Sequence, residues 1–577
     1  MASTQRLSLG RSADLMRAAL DQLKTQRFVE RLWANDPSLW GTDAALQAAI
    51  RRRLGWLQAP RWMRPQCASL LDFAQEIRRA GCMQAVLLGM GGSGLFAEVC
   101  RHTFGGGGPT ATRGMDVTVL DTTDPTAIRS LQQRCPPDQL VVIVSSKSGA
   151  TAEVSALAAS FYDALRQAGV EPGTHCIAIT DAGTPLEAQA RTWKFRRIFT
   201  HGPKTGDDVG GRFSALTYFG LVPASLLGID PDTLLARALE MLSRCGPDIP
   251  LQDNPAAQLG ATLGGLARAG RDKLTLLCAP ELSSVGTWVE QLIAESTGKQ
   301  GRGITPIHGE RWCAPEAYGA DRVFVVWQLA GHPDAALEAH LRGLELSGQP
   351  IVRVRWEDRY DLGGEVIKWS IVTSMVGGFL GVNPFDEPNV KESKDRTNEL
   401  LAQYVRDRRF PEDTPLLSEP GLALYGSSAT PSAGSRSTGQ CLRDFLRQAR
   451  PGDYVAVLSF LPRQPALDHA AHAIRDHLSG ALGLPTMLGI GPRYLHSTGQ
   501  LYKGGPDQGL FLQLTAEEPL DLPIPGEPFT FGILKHAQAL ADFQAMRHRG
   551  RRILRAHLRG DVESAMRQLQ HAIEEAV

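Results

Sequence analysis

Apolar residues recur three and four positions apart through ADLMRAALDQL (13–23), ALQAAIRRRLGWL (45–57) and ASLLDFAQEIRRA (68–80). That spacing predicts an N-terminal helical region over residues 1–80. From Met83 the pattern changes to short apolar runs, each followed by a helical stretch: QAVLLG (84–89), DVTVLD (116–121), QLVVIVS (139–145) and HCIAITD (175–181). Strands alternating with helices in this way predict a parallel sheet covered on both faces. A first α/β domain is therefore expected over 81–245, ending in helices near Tyr218 to Ser243. A second set of strands, KLTLLCAP (273–280), RVFVVWQLA (322–330) and PIVRVRWE (350–357), predicts a second domain over 246–423. Residues 424–440, LYGSSATPSAGSRSTGQ, are small and polar with one proline, so an exposed loop or linker is expected. YVAVLSFL (454–461), ALDHAAHAIRDHL (466–478) and TMLGIG (486–491) then read as strand, helix and strand, and 531–558 as a basic helical tail. Residues 441–577 are expected to complete the second domain and add C-terminal helices. No tandem repeat is visible, though the two α/β sets have the look of distant copies.

The stretch VIVSSKSGATAE (142–153) carries the most chemistry. A strand stops at Ser145, six residues rich in hydroxyls follow, and a helix begins at Ala152. Such a turn gathers backbone N–H groups and the positive end of a helix at one point, and adds hydroxyl donors there. It reads as a phosphate cradle; the alternative is a Ser/Thr helix cap. Gly89-Met90-Gly91-Gly92-Ser93-Gly94 also follows a strand and opens a helix. Taken with Asp121 at the end of the next strand, this satisfies a dinucleotide fingerprint. Yet turns at the carboxyl ends of neighbouring parallel strands converge on one crevice. Two hydroxyl-bearing turns meeting there suit one phosphate monoester better than a pyrophosphate.

Composition narrows the partners. Of the 577 residues, 61 are Lys or Arg and 61 are Asp or Glu, so the net charge is zero and no bulk attraction to nucleic acid or membrane is expected. The start of the chain has no signal-peptide core, and no run is apolar enough to span a bilayer. Nine scattered cysteines without a C-x-x-C suggest neither a disulfide framework nor a zinc site. A reduced, cytoplasmic setting is expected, and no His/Asp/Glu group has metal-ligand spacing.

Four more segments hold candidate residues. Val209-Gly210-Gly211-Arg212 sets an arginine behind two glycines, where backbone and guanidinium can both approach an anion. In WVEQLIAESTGK (288–299), Gln291 and Glu295 share a helix face. Glu295 lies in the last turn, where the helix dipole disfavours a carboxylate and raises its pKa toward that of a general base. NPFDEPNVKESK (383–394) joins a proline-rich turn to a helix bearing Lys394. His496, in YLHSTGQ (494–500), follows a strand and so sits at the mouth of a sheet.

Together GMGGSG, SSKSGATAE, VGGRFS, AESTGK, NPFDEP…K and HSTGQL resemble phosphoglucose isomerase, a family with two sugar-isomerase (SIS) domains. The likeness runs from about Gln84 to His548 and is nearest to the isomerase half of transaldolase–phosphoglucose isomerase fusions, with no room here for the transaldolase barrel. The resemblance implies two three-layer αβα domains with parallel sheets. It also implies an enzyme interconverting glucose 6-phosphate and fructose 6-phosphate without metal or nucleotide, and a homodimer. By motif, Gly92, Ser93, Ser146, Lys147, Ser148 and Thr151 would hold the phosphate, with Glu153, Gly211 and Gln291 lining the pocket. Arg212 would face the reacting carbons, Glu295 would move the proton, and His496 with Lys394 would open the sugar ring. The chain departs from the family twice. The His segment follows the NPFD…K segment instead of preceding it, and Glu387 stands where the family usually has Gln. Two other readings stay open: a non-catalytic SIS-type sugar-phosphate sensor, and a nicotinamide oxidoreductase built on the glycine loop.

Overall fold

A computed structural model describes residues 3–105, 114–201, 208–411, 414–426 and 437–577. Its described residues form three separate sheets. The first contains β2 (Gln84–Leu88), β3 (Asp116–Leu120), β4 (Leu140–Ser145), β5 (Cys176–Asp181) and β6 (Arg197–His201) in the order β3-β2-β4-β5-β6, all parallel. The second contains β7 (Lys273–Cys278), β8 (Thr305–His308), β9 (Arg322–Leu329) and β10 (Ile351–Trp356), parallel to one another. Its outer edge is closed by β1 (Thr4–Ser8), which pairs antiparallel with β10, so the N-terminal region is not purely helical.

The first two units are the expected αβα layers with parallel sheets. The strands' period-2 side chains divide them between two cores. Ala85 and Leu87 of β2 face a core shared with Trp56, Phe73 and Phe213, whereas Val86 and Leu88 face one shared with Phe161, Tyr454 and Phe531. The second of these cores belongs half to the first unit and half to the end of the chain.

Residues 441–577 do not complete the second sheet. They build a third, together with the segment before them: β11 (Leu417–Glu419), β12 (Leu422–Gly426), β13 (Tyr454–Phe460), β14 (Thr486–Ile490), β15 (Gly509–Ala516) and β16 (Arg552–Leu558), in the order β11-β12-β16-β15-β13-β14. The basic tail is correspondingly two elements. Its helix, Phe531–His548, ends before Gly550, whose φ of +69° breaks it, and Arg552–Leu558 is a strand in the sheet interior. Two of its arginines find partners inside the protein: Arg552 forks onto Asp453 at 2.7 and 3.0 Å, and Arg555 lies 4.2 Å above the Tyr425 ring. The loop expected over 424–440 is structured at both ends. Residues 424–426 belong to β12, and Ser437 caps the helix Thr438–Leu446 through a capping box; residues 427–436 lie outside the described residues.

Candidate active site

In the first sheet, the strand order switches sides between β2 and β4: one connection leads outward to β3, the other outward to β5. This switch point is where open parallel sheets form a crevice. The glycine turn after β2 and the hydroxyl turn after β4 stand on its two sides. The Ser145 hydroxyl ties them by donating to the Ser93 carbonyl at 2.7 Å. Gly149 turns the second loop at φ +63°, and a Cβ there would fall 2.7 Å from the Thr184 Cβ, so only glycine fits. Thr151 occupies the cap position of the helix Ala152–Gln167 but makes no capping hydrogen bond; its hydroxyl meets that of Ser146 at 3.0 Å instead. The first-turn N–H groups of this helix are thus left without a side-chain cap.

The turn carrying Arg212 presses on the glycine loop so closely that a Cβ on Gly92 would lie 2.1 Å from the Gly211 carbonyl oxygen. Arg212 is 3% exposed and its guanidinium is fixed on every side. Its Nε donates to Ser296 Oγ at 2.7 Å, and Nη2 donates to the Pro384 and Asp386 carbonyls at 2.6 and 2.9 Å. Nη1 meets two carboxylates, Glu295 at 3.1 Å and Glu387 at 3.0 Å. Glu295 comes from the helix Ser283–Thr297 and Glu387 immediately precedes the helix Pro388–Asp407.

Burial raises the Glu295 pKa; Arg212 opposes this and the charge of Glu387 adds to it, so the net direction is upward. The direction matches the expectation from sequence, but the cause is desolvation and a neighbouring carboxylate, not the helix end. For Glu387, burial is outweighed by Arg212 and Arg53, and its pKa falls below the ordinary value. Gln291, one turn before Glu295, donates through Nε2 to Glu295 Oε2 at 3.1 Å and to the His496 carbonyl at 2.9 Å, while its Oε1 is buried without a partner.

His496 arrives from the third sheet, in the short turn Arg493–His496 after β14. Its Nε2 is 2.8 Å from Glu153 Oε1, and the same oxygen accepts from Gln538 Nε2 at 2.7 Å. Burial would raise the Glu153 pKa, but the charge and hydrogen bond of His496, with help from Lys394, bring it to about 2. Lys394 is exposed on the helix Pro388–Asp407, near enough to act on Glu153 electrostatically. The glycine loop also touches this turn: at Gly91, with φ +53°, a Cβ would lie 2.8 Å from the His496 carbonyl.

Two sequence candidates behave differently from expectation. The Lys147 ammonium pairs with Asp181 and Asp208, so its charge is already balanced, and Ser148 is exposed with its Oγ accepting from Ala150 N at 3.3 Å. Asp121, the ribose-binding acid of the dinucleotide reading, is held by Arg493 Nε at 3.1 Å. Residues that sequence reasoning missed include Asp208, Gln538 and Arg53, which reaches Asp208 at 3.4 Å from the N-terminal helical region. Asp181 had a signal, since it ends a strand of the first sheet as Asp121 does; Gln538 had none.

The fold is shared with a solved glucose-6-phosphate isomerase. The glucose-6-phosphate isomerase of Chlamydia trachomatis superposes with a TM-score of 0.58 over 71% of this chain and 90% of its own, at 16% identity. A hypothetical protein of Thermus thermophilus gives 0.58 over 69% of this chain and 100% of its own, at 23% identity. No family model matches the chain. By sequence, it is similar to proteins named glucose-6-phosphate isomerase. That of Symbiobacterium thermophilum is 29% identical over 399 residues, 60% of this chain and 87% of the relative. That of Rubrobacter xylanophilus is 26% identical over 402 residues, 61% and 90%. A probable one from Haloarcula marismortui is 28% identical over 362 residues, 57% and 80%.

Proposed function

We propose that this chain is an aldose–ketose isomerase that interconverts glucose 6-phosphate and fructose 6-phosphate, a step of glycolysis and gluconeogenesis in the cytoplasm. The observation that carries the reading is the meeting of three chemistries at one switch point: an uncapped hydroxyl turn, a buried carboxylate on an arginine, and a histidine on a second carboxylate. The similar proteins named above support it; a nearer kinship to transaldolase-fused isomerases is itself part of the proposal.

In this reading the phosphate is held by the hydroxyls of Ser146, Ser148 and Thr151, by Gly92 and Ser93, and by the backbone of Lys147, whose ammonium is engaged elsewhere. That grip is remote from the reacting carbons and serves orientation. Ring opening moves a proton from the anomeric hydroxyl to the ring oxygen, with His496 and Lys394 as acid/base pair and Glu153 steadying the imidazole. Glu295 then takes the C2 proton, giving a cis-enediol, and returns it to C1; its raised pKa makes it a better base than an ordinary carboxylate. Arg212 offsets the charge that develops on the enediolate oxygens. Gln291 and Gly211 line the pocket. The family's homodimer is part of the proposal only as an assembly, because His496 reaches Glu153 within one chain.

A coupled isomerase assay on the purified protein with a chelator present tests the proposal. Turnover of both sugar phosphates is expected. Activity that disappears with chelator and returns with zinc or manganese sinks the mechanism.

A further inference from the structure

Glu387 introduces a second carboxylate where proton transfer needs one. The Arg212 guanidinium has a single nitrogen, Nη1, turned toward carboxylates, and Glu295 and Glu387 stand on it at 3.1 and 3.0 Å. The other two nitrogens are committed to Ser296 and to two backbone carbonyls, so Arg212 cannot turn to favour either acid. A base locked alone onto a buried guanidinium is a poor base, because its charged form is stabilised and taking a proton breaks the pair.

Resting on the isomerase reading above, we propose that Glu387 is a positioning residue for the proton transfer. By taking its share of the Arg212 guanidinium, it leaves Glu295 incompletely paired and therefore able to accept a proton from carbon. Glu387 is the more open of the two, with its side chain 36% exposed against 10% for Glu295, so solvent and Arg53 help it keep its own charge.

The surroundings agree with this division. Glu295 is faced by Gln291 from its own helix, by Arg212 from the turn Gly211–Phe213, by Glu387 from the start of the Pro388–Asp407 helix, and by Lys299 just beyond its helix. Lys299 is occupied by the Asn383 carbonyl at 2.5 Å and by Asp386 Oδ1 at 2.7 Å, and burial with the charge of Arg212 lowers its pKa to about 8. It does not replace Arg212 as the partner of Glu295. Removing the charge of Glu387 should therefore hand Arg212 to Glu295 alone.

The test compares kcat–pH profiles of the wild type, Glu387→Gln and Glu387→Asp. The sign is fixed: activity needs ionised Glu295 and is lost as pH falls through its pKa, which Glu387 raises. In Glu387→Gln the acid limb should move to lower pH and the plateau kcat should fall, because a more acidic group is a weaker base. Glu387→Asp, which keeps the charge, should stay near the wild type. An acid limb unmoved in Glu387→Gln, or an equal shift in both variants, overturns the proposal. A readout independent of turnover is the infrared carbonyl band of protonated Glu295, identified by its absence in Glu295→Gln. It should titrate at lower pH in Glu387→Gln, and an unchanged titration also overturns the proposal. If the chain proves inactive toward hexose phosphates while the band still shifts, the isomerase reading has failed and the carboxylate coupling stands.

Discussion

The phosphate turn and the proton-transfer cluster are built in opposite ways. Ser145 through Glu153 is one stretch of chain between a strand and a helix, and its geometry follows from local rules: a strand end, one obligatory glycine, an uncapped helix start. The cluster around Arg212 joins residues 212, 295, 296, 384, 386 and 387, and His496 and Gln538 come from a third sheet. A local site is tolerant, because losing one donor leaves the others in place. An assembled site is brittle, since each charge is held by a partner from elsewhere and exposes that partner when removed.

The sharpest way to test that contrast is Glu295→Gln. An amide cannot accept the C2 proton, so turnover should fall by about 10²–10⁴-fold with little change in KM. Incorporation of solvent tritium into substrate should be lost in parallel; exchange at the wild-type rate excludes Glu295 as the base. Next in size is His496→Ala, expected to slow the cyclic sugar phosphate by on the order of 100-fold while sparing an open-chain analogue that needs no ring opening. Equal loss on both substrates assigns His496 to pocket shape. The local site should respond more gently: Ser146→Ala with Thr151→Ala removes donors worth about 1.5–3 kcal/mol each toward a charged group, so KM should rise with kcat largely kept. A fall in kcat at constant KM places the phosphate grip elsewhere.

The smallest effect expected concerns stability in acid. Glu153 has a folded pKa of about 2 against an ordinary 4.5, so its contribution is fully present above pH 4.5 and is lost as pH falls toward 2. That contribution is roughly 3 kcal/mol. The unfolding free energy of the wild type should therefore drop more steeply across this window than that of Glu153→Gln. Parallel curves show that the His496–Glu153 pair does not bear on folding.

The same contrast explains what was legible beforehand. Four of the five strands of the first sheet could be read because they are largely apolar runs, and the hydroxyl turn because its donors are sequence neighbours. β6, β8 and β15 lacked a clear run of that kind. β16 was hidden by its arginines, which look solvent-exposed until Asp453 and Tyr425 are seen to receive them. Glu295 and Gln291 showed their helical spacing, yet the reasons for the raised pKa of Glu295, its burial and then a rival carboxylate ninety-two positions along the chain, have no local signal. Lys147 misled in the other direction: a lysine in a phosphate turn invites a role for its charge, and nothing nearby announces Asp208 sixty-one residues later. His496 was found by resemblance and by its strand-end position, while Gln538 on the far side of Glu153 was not found at all.

The antiparallel edge strand β1 bears on how the molecule is made. Thr4–Ser8 pairs with Ile351–Arg355, so the earliest strand of this sheet in chain order waits for the last. At roughly 5–20 residues per second, the intervening stretch of about 340 residues takes on the order of 20–70 s to synthesise. Throughout that interval TQRLS lacks its strand partner, while the first sheet, whose strands lie between residues 84 and 201, can already close. Assembly of the second sheet is thus a late event gated by synthesis, since its edge is completed only when β10 has been made.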